Sequence, residues 1–327
     1  MITLSNEPLS QLIVENYSIG EPIEIEPLHQ GLNDLFKVEC ASGYEYVLCL
    51  TKSHTFADYT ELMYREETSI INYLRKNHIP VPHIISKKDQ SLIGKITIEE
   101  IERYYFMYEF IDGEHKSFNN FSGMEAFQLG QALAEMHKAF DRYNKPVKRF
   151  TMNVNLVKPV LSIYEERFGR TVDYEFLKET LLDVELRIKK YESMYPHRKG
   201  LIHGDFFTGN FLNETNYINI LDFDFLSFGN RLYDIASLTS TDILHCSGLE
   251  IDSKLFQSFI RGYQSKNPIS TGEFKFLEAF ERLRLFFGLL YCLTESEKTI
   301  SEDQFYSGMS TLIGLLRRWP ELQAIKD

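Results

Sequence analysis

Cysteine is scarce in this chain. Cys40, Cys49, Cys246 and Cys292 are the four among 327 residues, and they form neither a CxxC pair nor a Cys/His cluster at zinc spacing. That excludes a zinc module and a disulfide-stapled scaffold, and it fits a reducing compartment. A long apolar run is also missing. The longest, Leu285 to Leu293, is nine residues, whereas a bilayer-crossing helix needs about 20. The first basic residue is Lys37, so the amino terminus lacks the positive region of a secretory signal. A cytoplasmic protein is expected. Positive charge is in deficit as well: Lys+Arg is 35 against 47 Asp+Glu, a net charge of −12. Such a chain repels nucleic-acid phosphates and acidic membrane surfaces, so neither is an expected partner. The acidic balance suits solubility and would also favour a cationic substrate. No internal repeat is present. With 43% hydrophobic and 25% charged residues, disordered, collagen-like and low-complexity classes are out.

What is there falls into two parts, as the length allows. Strand-like runs occur at Ile23–Leu28, Leu35–Glu39 and Tyr44–Leu50, then near Leu92–Ile98 and Arg103–Phe110. Between them Asp58 to Asn77 reads as a helix, with Tyr59, Leu62, Met63, Ile70, Ile71 and Leu74 at one-sided spacing and Pro80-Val81-Pro82 ending it. After Gly113 the pattern turns helical. Ser122 is placed to cap a helix reaching about Asp141, and further helical stretches lie near 155–168, 174–194, 252–264, 274–293 and 302–318.

A polar island interrupts the helices. It reads Leu201-Ile202-His203-Gly204-Asp205-Phe206-Phe207-Thr208-Gly209-Asn210, followed by Ile220-Leu221-Asp222-Phe223-Asp224. If the last segment is extended, residues two apart share a face, so Asp222 and Asp224 should converge. Paired carboxylates call for a cation, and a hard cation such as Mg²⁺ takes one or two carboxylates with substrate phosphates. Asn210 adds a neutral oxygen, leaving Asp205 to hold a hydroxyl or accept its proton. His203 stands with Asp205 in the catalytic loop, better suited to shaping it than to carrying a proton, because no nucleophile lies beside it in sequence.

The combination of HGD, an asparagine five residues on, and DFD resembles the aminoglycoside-phosphotransferase-like kinases, a superfamily that includes choline kinases and type II homoserine kinases. Tyr233-Asp234-Ile235-Ala236 extends the match. The resemblance implies an α+β, bilobal protein-kinase-like fold. Residues 1–108 would be a β-rich N-lobe with one long helix, 109–114 a hinge, and 115–327 a larger, mainly helical C-lobe. It further implies Asp205 as catalytic base, Asn210 and Asp222 as Mg²⁺ ligands with Asp224 beside them, and Asp234 as a structural residue. Gly31 and Asn33 would lie in the loop over the ATP phosphates, Glu67 would be the helix glutamate, and the Glu109 carbonyl and Ile111 amide would meet adenine. His137 matches a helix ending and reads as a packed core histidine.

Two lysines of the wider kinase pattern are absent. The strand position that would pair with Glu67 is Cys49, and Lys52 is the nearest cation in sequence. Phe207 stands two residues after Asp205, where protein kinases commonly carry lysine. The expected activity is ATP- and Mg²⁺-dependent phosphorylation of a hydroxyl on a small aminoglycoside-, homoserine- or choline-like acceptor. A serine/threonine protein kinase and a non-catalytic kinase-fold protein are the alternatives, and a metal-dependent hydrolase lacks the histidine-rich ligands it would need.

Overall fold

Alternating side chains in the first third build an antiparallel sheet. The computed structural model describes residues 6–30, 33–52, 60–98, 100–214, 218–245, 252–294 and 301–323. The chain divides into two units, Met1–Gly113 and Glu114–Asp327. The first opens with helix α1 (Asn6–Asn16), followed by β1 (Pro22–Gln30), β2 (Asp34–Cys40) and β3 (Glu45–Leu50). Helix α2 (Glu61–Lys76), β4 (Ile84–Ile85), β5 (Gly94–Ile98) and β6 (Ile101–Glu109) complete it. The sheet order is β1-β2-β3-β6-β4, with β5 also on β6, and all pairs are antiparallel. One face packs on α1: Leu9, Ile13 and Tyr17 meet Ile25, Val38, Leu48, Leu50 and Met107. Since Leu48 and Leu50 serve that core, alternation turns the buried Cys49 to the opposite face.

Three expectations need correcting here. Helix α2 begins at Glu61, and Asp58 and Tyr59 lie outside the described residues. Leu62 is 46% exposed, so it is off the apolar stripe, which Met63, Ile70, Ile71 and Leu74 do supply. Helix α1 and the short β4 had not been anticipated.

In the second unit, α3 (Gly123–Arg142) starts at a capping box in which Ser122 and Glu125 satisfy each other's backbone amides. Then come α4 (Val154–Val157) and α5 (Pro159–Phe168), one expected helix broken where Pro159 starts a new first turn. Helix α6 (Val172–Met194) leads into β7 (Lys199–Ile202), β8 (Phe211–Asn213), β9 (Ile218–Ile220) and β10 (Ser227–Asn230). Strand β7 pairs with β10 and β8 with β9. Helices α7 (Leu232–His245), α8 (Ser253–Lys266), α9 (Thr271–Phe274), α10 (Leu277–Thr294) and α11 (Glu302–Gln323) follow. Helices α3 and α8 cross where Gly130 and Gly262 admit the other's backbone: a Cβ at either would run into the carbonyl of Phe259 or Phe127.

Helix α7 was not expected. Leu232 to Thr241 are all buried, so the segment has no exposed face to set against a buried stripe. Helix α10 holds the Leu285–Leu293 run and packs on α6, α7 and α11. There Trp319, the single tryptophan of the chain, is fully buried and donates from Nε1 to Glu281 Oε2 at 3.0 Å. Among the described residues no helix is long and apolar enough to cross a membrane, and Cys40, Cys49 and Cys292 are buried without disulfides.

Candidate active site

The loop between β7 and β8 is held by a buried carboxylate. Asp234, on the first turn of α7, is fully buried; its Oδ2 accepts from the His203 amide and its Oδ1 from the Gly204 amide, each at 2.9 Å. His137 of α3 donates from Nε2 to the same Oδ2 at 2.9 Å and accepts from the Tyr263 hydroxyl on Nδ1 at 2.9 Å. Burial alone would raise the Asp234 pKa, yet the hydrogen bonds from His137 and the Gly204 amide hold it below the ordinary carboxylate value. Gly204 takes φ +83°, and a side chain there would collide with the Phe225 carbonyl.

His203 is buried and fully used. Its Nε2 donates to the Leu221 carbonyl at 2.9 Å, and its Nδ1 accepts from the Asp205 amide at 3.3 Å. Both bonds together require the neutral ring. Burial pushes the pKa of His203 down, and burial takes His137 to about 4, the nearby Arg231 charge adding to the effect. Both histidines therefore take up a proton on unfolding near their ordinary value of about 6.5. The unfolded chain binds more protons than the folded one in that interval, so stability falls as pH drops from about 6.5 toward 4. Thermal unfolding across this interval should show a steady fall in Tm. The fall should be shallower in His137→Gln, which keeps a donor toward Asp234 but does not titrate.

Asp205 is 8% exposed, and its two oxygens face different neighbours. Oδ2 accepts from Asn210 Nδ2 at 3.1 Å, and the same amide reaches the Asp205 carbonyl at 2.9 Å. Oδ1 accepts from Arg284 Nη2 at 2.5 Å. Asn210 ends a 3-10 turn, Thr208–Asn210, and its carbonyl accepts from the Leu221 amide at 2.8 Å, tying the loop to the chain just before Asp222. With Nδ2 committed to Asp205, Asn210 Oδ1 has no hydrogen-bond partner among the described residues, which suits a hard cation.

The extended geometry from which Asp222 and Asp224 were expected to converge is absent. Strand β9 ends at Ile220, and Asp222 adopts φ +59°, which breaks the alternation the inference needed. Asp222 is exposed and Asp224 is 7% exposed, and the Asp224 amide donates to Asp222 Oδ1 at 3.2 Å. No group of three or more His, Cys, Asp or Glu among the described residues could hold a metal. One carboxylate and one amide oxygen completed by phosphates remain a workable donor set for Mg²⁺.

The nucleotide-side candidates lie in the first unit. Gly31 is outside the described residues. Asn33 is buried, and its Oδ1 accepts from the Lys52 amide at 3.2 Å. Strand β3 stops at Leu50, so alternation no longer governs Lys52, whose ammonium sits 2.6 Å from Asp34. Arg103, on β6, donates to the other Asp34 oxygen at 2.7 Å and to the Leu50 and Thr51 carbonyls at 2.9 and 2.6 Å. Glu67 is 2% exposed, while Glu66 beside it is only half-buried. Glu109 closes β6 with its carboxylate on the His83 amide and Arg75, and among the described residues the Ile111 amide donates to no backbone carbonyl.

Arg284 and Arg103 had not been singled out from sequence. Each is a cation bordering an apolar run, Arg284 just before Leu285–Leu293 and Arg103 just before the aromatic stretch of β6. A buried charge needs a partner, so that misfit is the signal that marks them.

Comparison with known proteins bears on the fold and the family. An uncharacterised protein of Synechocystis is 24% identical over 280 residues, 85% of this chain and 75% of the relative. A microcompartment-associated aminopropanol kinase superposes with a TM-score of 0.74 at 18% identity, covering 97% of this chain and 98% of the other. Amicoumacin kinase, solved with AMP-PNP, Ca²⁺ and Ami, gives 0.72 at 18% identity, covering 96% and 93%. The fold is the α+β protein-kinase-like one, an antiparallel sheet followed by a mainly helical part. Residues 24–276 match the profile of the phosphotransferase enzyme family, and the chain belongs to that family.

Proposed function

We propose that the protein transfers the γ-phosphate of ATP to a hydroxyl of a small molecule, using Mg²⁺. The observation that carries this reading is the Asp205–Asn210 pair: one amide nitrogen fixes a buried carboxylate and leaves an amide oxygen for a cation. AMP-PNP and Ca²⁺ in the amicoumacin kinase structure support a nucleotide and a divalent ion. Asp205 would orient the acceptor hydroxyl and take its proton as the new oxygen–phosphorus bond forms and the bond to the ADP oxygen breaks. Asn210 Oδ1 and Asp222 would hold the cation, with Asp224 as supporting charge. The ion's contribution when bound is to neutralise charge on the phosphates. His203 positions the loop, since both ring nitrogens are engaged. Gly31, Asn33, Lys52, Glu67 and the backbone of Glu109 and Ile111 would serve the nucleotide. Phe207 in place of a lysine favours a small acceptor over a protein.

ADP release by purified protein with ATP and Mg²⁺, screened over hydroxyl-bearing amino acids, aminoalcohols, sugars and aminoglycosides, tests the reading. If no ATP binds at millimolar nucleotide, the non-catalytic alternative that Cys49 favours takes its place. Asp222→Ala is expected to abolish the Mg²⁺-dependent part of the thermal shift with ATP, because Asn210 then offers a lone neutral oxygen. An unchanged shift removes Asp222 from the metal site. Lys52→Ala should weaken ATP by about 5- to 30-fold, equivalent to about 1–2 kcal/mol, by calorimetric titration.

A further inference from the structure

The two oxygens of Asp205 separate two neighbourhoods. Oδ2 belongs with Asn210, the metal side of the proposed reaction. Oδ1 meets Arg284 from α10, 79 residues further along the chain. The guanidinium is well enclosed, its side chain 12% exposed, and it makes two hydrogen bonds: Nη2 to Asp205, and Nε to Ser237 Oγ of α7 at 3.3 Å. Among the described residues Nη1 has no hydrogen-bond partner. One turn before Ser237, Tyr233 is fully buried with its hydroxyl unpartnered, and the charges of Arg284 and Asp205 both act on it.

This side of Asp205 is poor ground for a cation. The nearby Glu281 is taken, accepting from Thr239 Oγ1 at 2.5 Å and from Trp319 Nε1 at 3.0 Å. The Phe287 ring, which could face an ammonium, already carries the Arg284 guanidinium 5.5 Å from its centroid. For an anion the same groups are complementary. Arg284 Nη1 still has its N–H donors to offer a carboxylate oxygen.

Resting on the kinase reading above, we propose that Arg284 is the acceptor-selecting residue and that the acceptor carries a carboxylate close to its hydroxyl. A small hydroxy acid or hydroxy amino acid fits. The hydroxyl lies on Asp205 and the carboxylate on Arg284 Nη1, so the two groups are bridged by one guanidinium and must sit near each other.

Matched acceptors that differ only by the carboxylate test this: serine against ethanolamine, threonine against 1-amino-2-propanol, and homoserine against 3-amino-1-propanol. With ATP and Mg²⁺, kcat/KM from ADP release should favour the acid in at least one pair by about 10-fold or more. Arg284→Gln should erase that preference and Arg284→Lys should keep part of it. The ratio between partners is the readout, because a merely structural loss would lower both members alike. If wild type prefers the amines, the inference falls and the kinase reading stands. A preference for acids that survives in Arg284→Gln overturns the role of Arg284. Absence of ADP with every acceptor overturns the kinase reading and this inference together.

Discussion

Asp205→Asn is expected to lower turnover by about 10²-fold or more while the nucleotide still binds. The substitution keeps the shape of the side chain and removes both the negative charge and the site that takes the proton. It also sets donors against donors. Asn210 Nδ2 and Arg284 Nη2 each donate to one carboxylate oxygen, and an asparagine at 205 can accept with only one of its two terminal atoms. Some local repacking must follow, so the measurement needs three parts: turnover, ATP affinity and Tm. Loss of turnover with affinity retained and a modest change in Tm assigns the base. Near-normal turnover would falsify that assignment. Arg284 sharpens the expectation, because its buried charge then faces a neutral partner instead of a carboxylate.

The second large effect is expected at Asp234, and it concerns folding rather than chemistry. Asp234→Ala leaves three donors, the His203 and Gly204 amides and His137 Nε2, without their acceptor in a fully buried place. Each buried unsatisfied donor costs about 1–3 kcal/mol, though the three are coupled and do not sum. A loss of about 3–5 kcal/mol is therefore expected, equivalent to a fall in Tm of about 6–20 °C. Asp234→Asn should be milder, since its one carbonyl oxygen can still accept from part of the set. A Tm within a degree or two of wild type for Asp234→Ala would mean that the loop is held by something else. The loop carries Asp205, so even a folded Asp234→Ala protein should lose turnover.

The legible parts of the sequence were those with a local signature. Ser122 announced the start of α3, and Ile70, Ile71 and Leu74 announced the inner face of α2. In the loop between β7 and β8, His203, Asp205 and Asn210 stand close in sequence and are joined by hydrogen bonds in space. The illegible parts were those decided by tertiary surroundings. Residues 232–241 of α7 are buried on every side, so no exposed face marked the helix. Asp222 looked like part of a strand end, but its left-handed backbone breaks the alternation that reading assumed. Arg284 is 79 residues from its partner, and a pattern read along one dimension cannot join them. Lys52 depended on where β3 stopped, a boundary of one or two residues that pattern reading does not resolve.

The burial of Trp319 against Glu281 makes the chain's fluorescence a local instrument. Every photon emitted by indole comes from one point, where α11 rests on α10, a single helical turn along α10 from Arg284. Emission should shift to longer wavelength when that contact opens, whatever the sheet of Met1–Gly113 does. Circular dichroism, by contrast, averages over both units. If the two signals change at different denaturant concentrations, the chain unfolds in more than one step. An acceptor that tightens the surroundings of α10 should delay the fluorescence transition selectively, which would let binding be followed without labelling the protein.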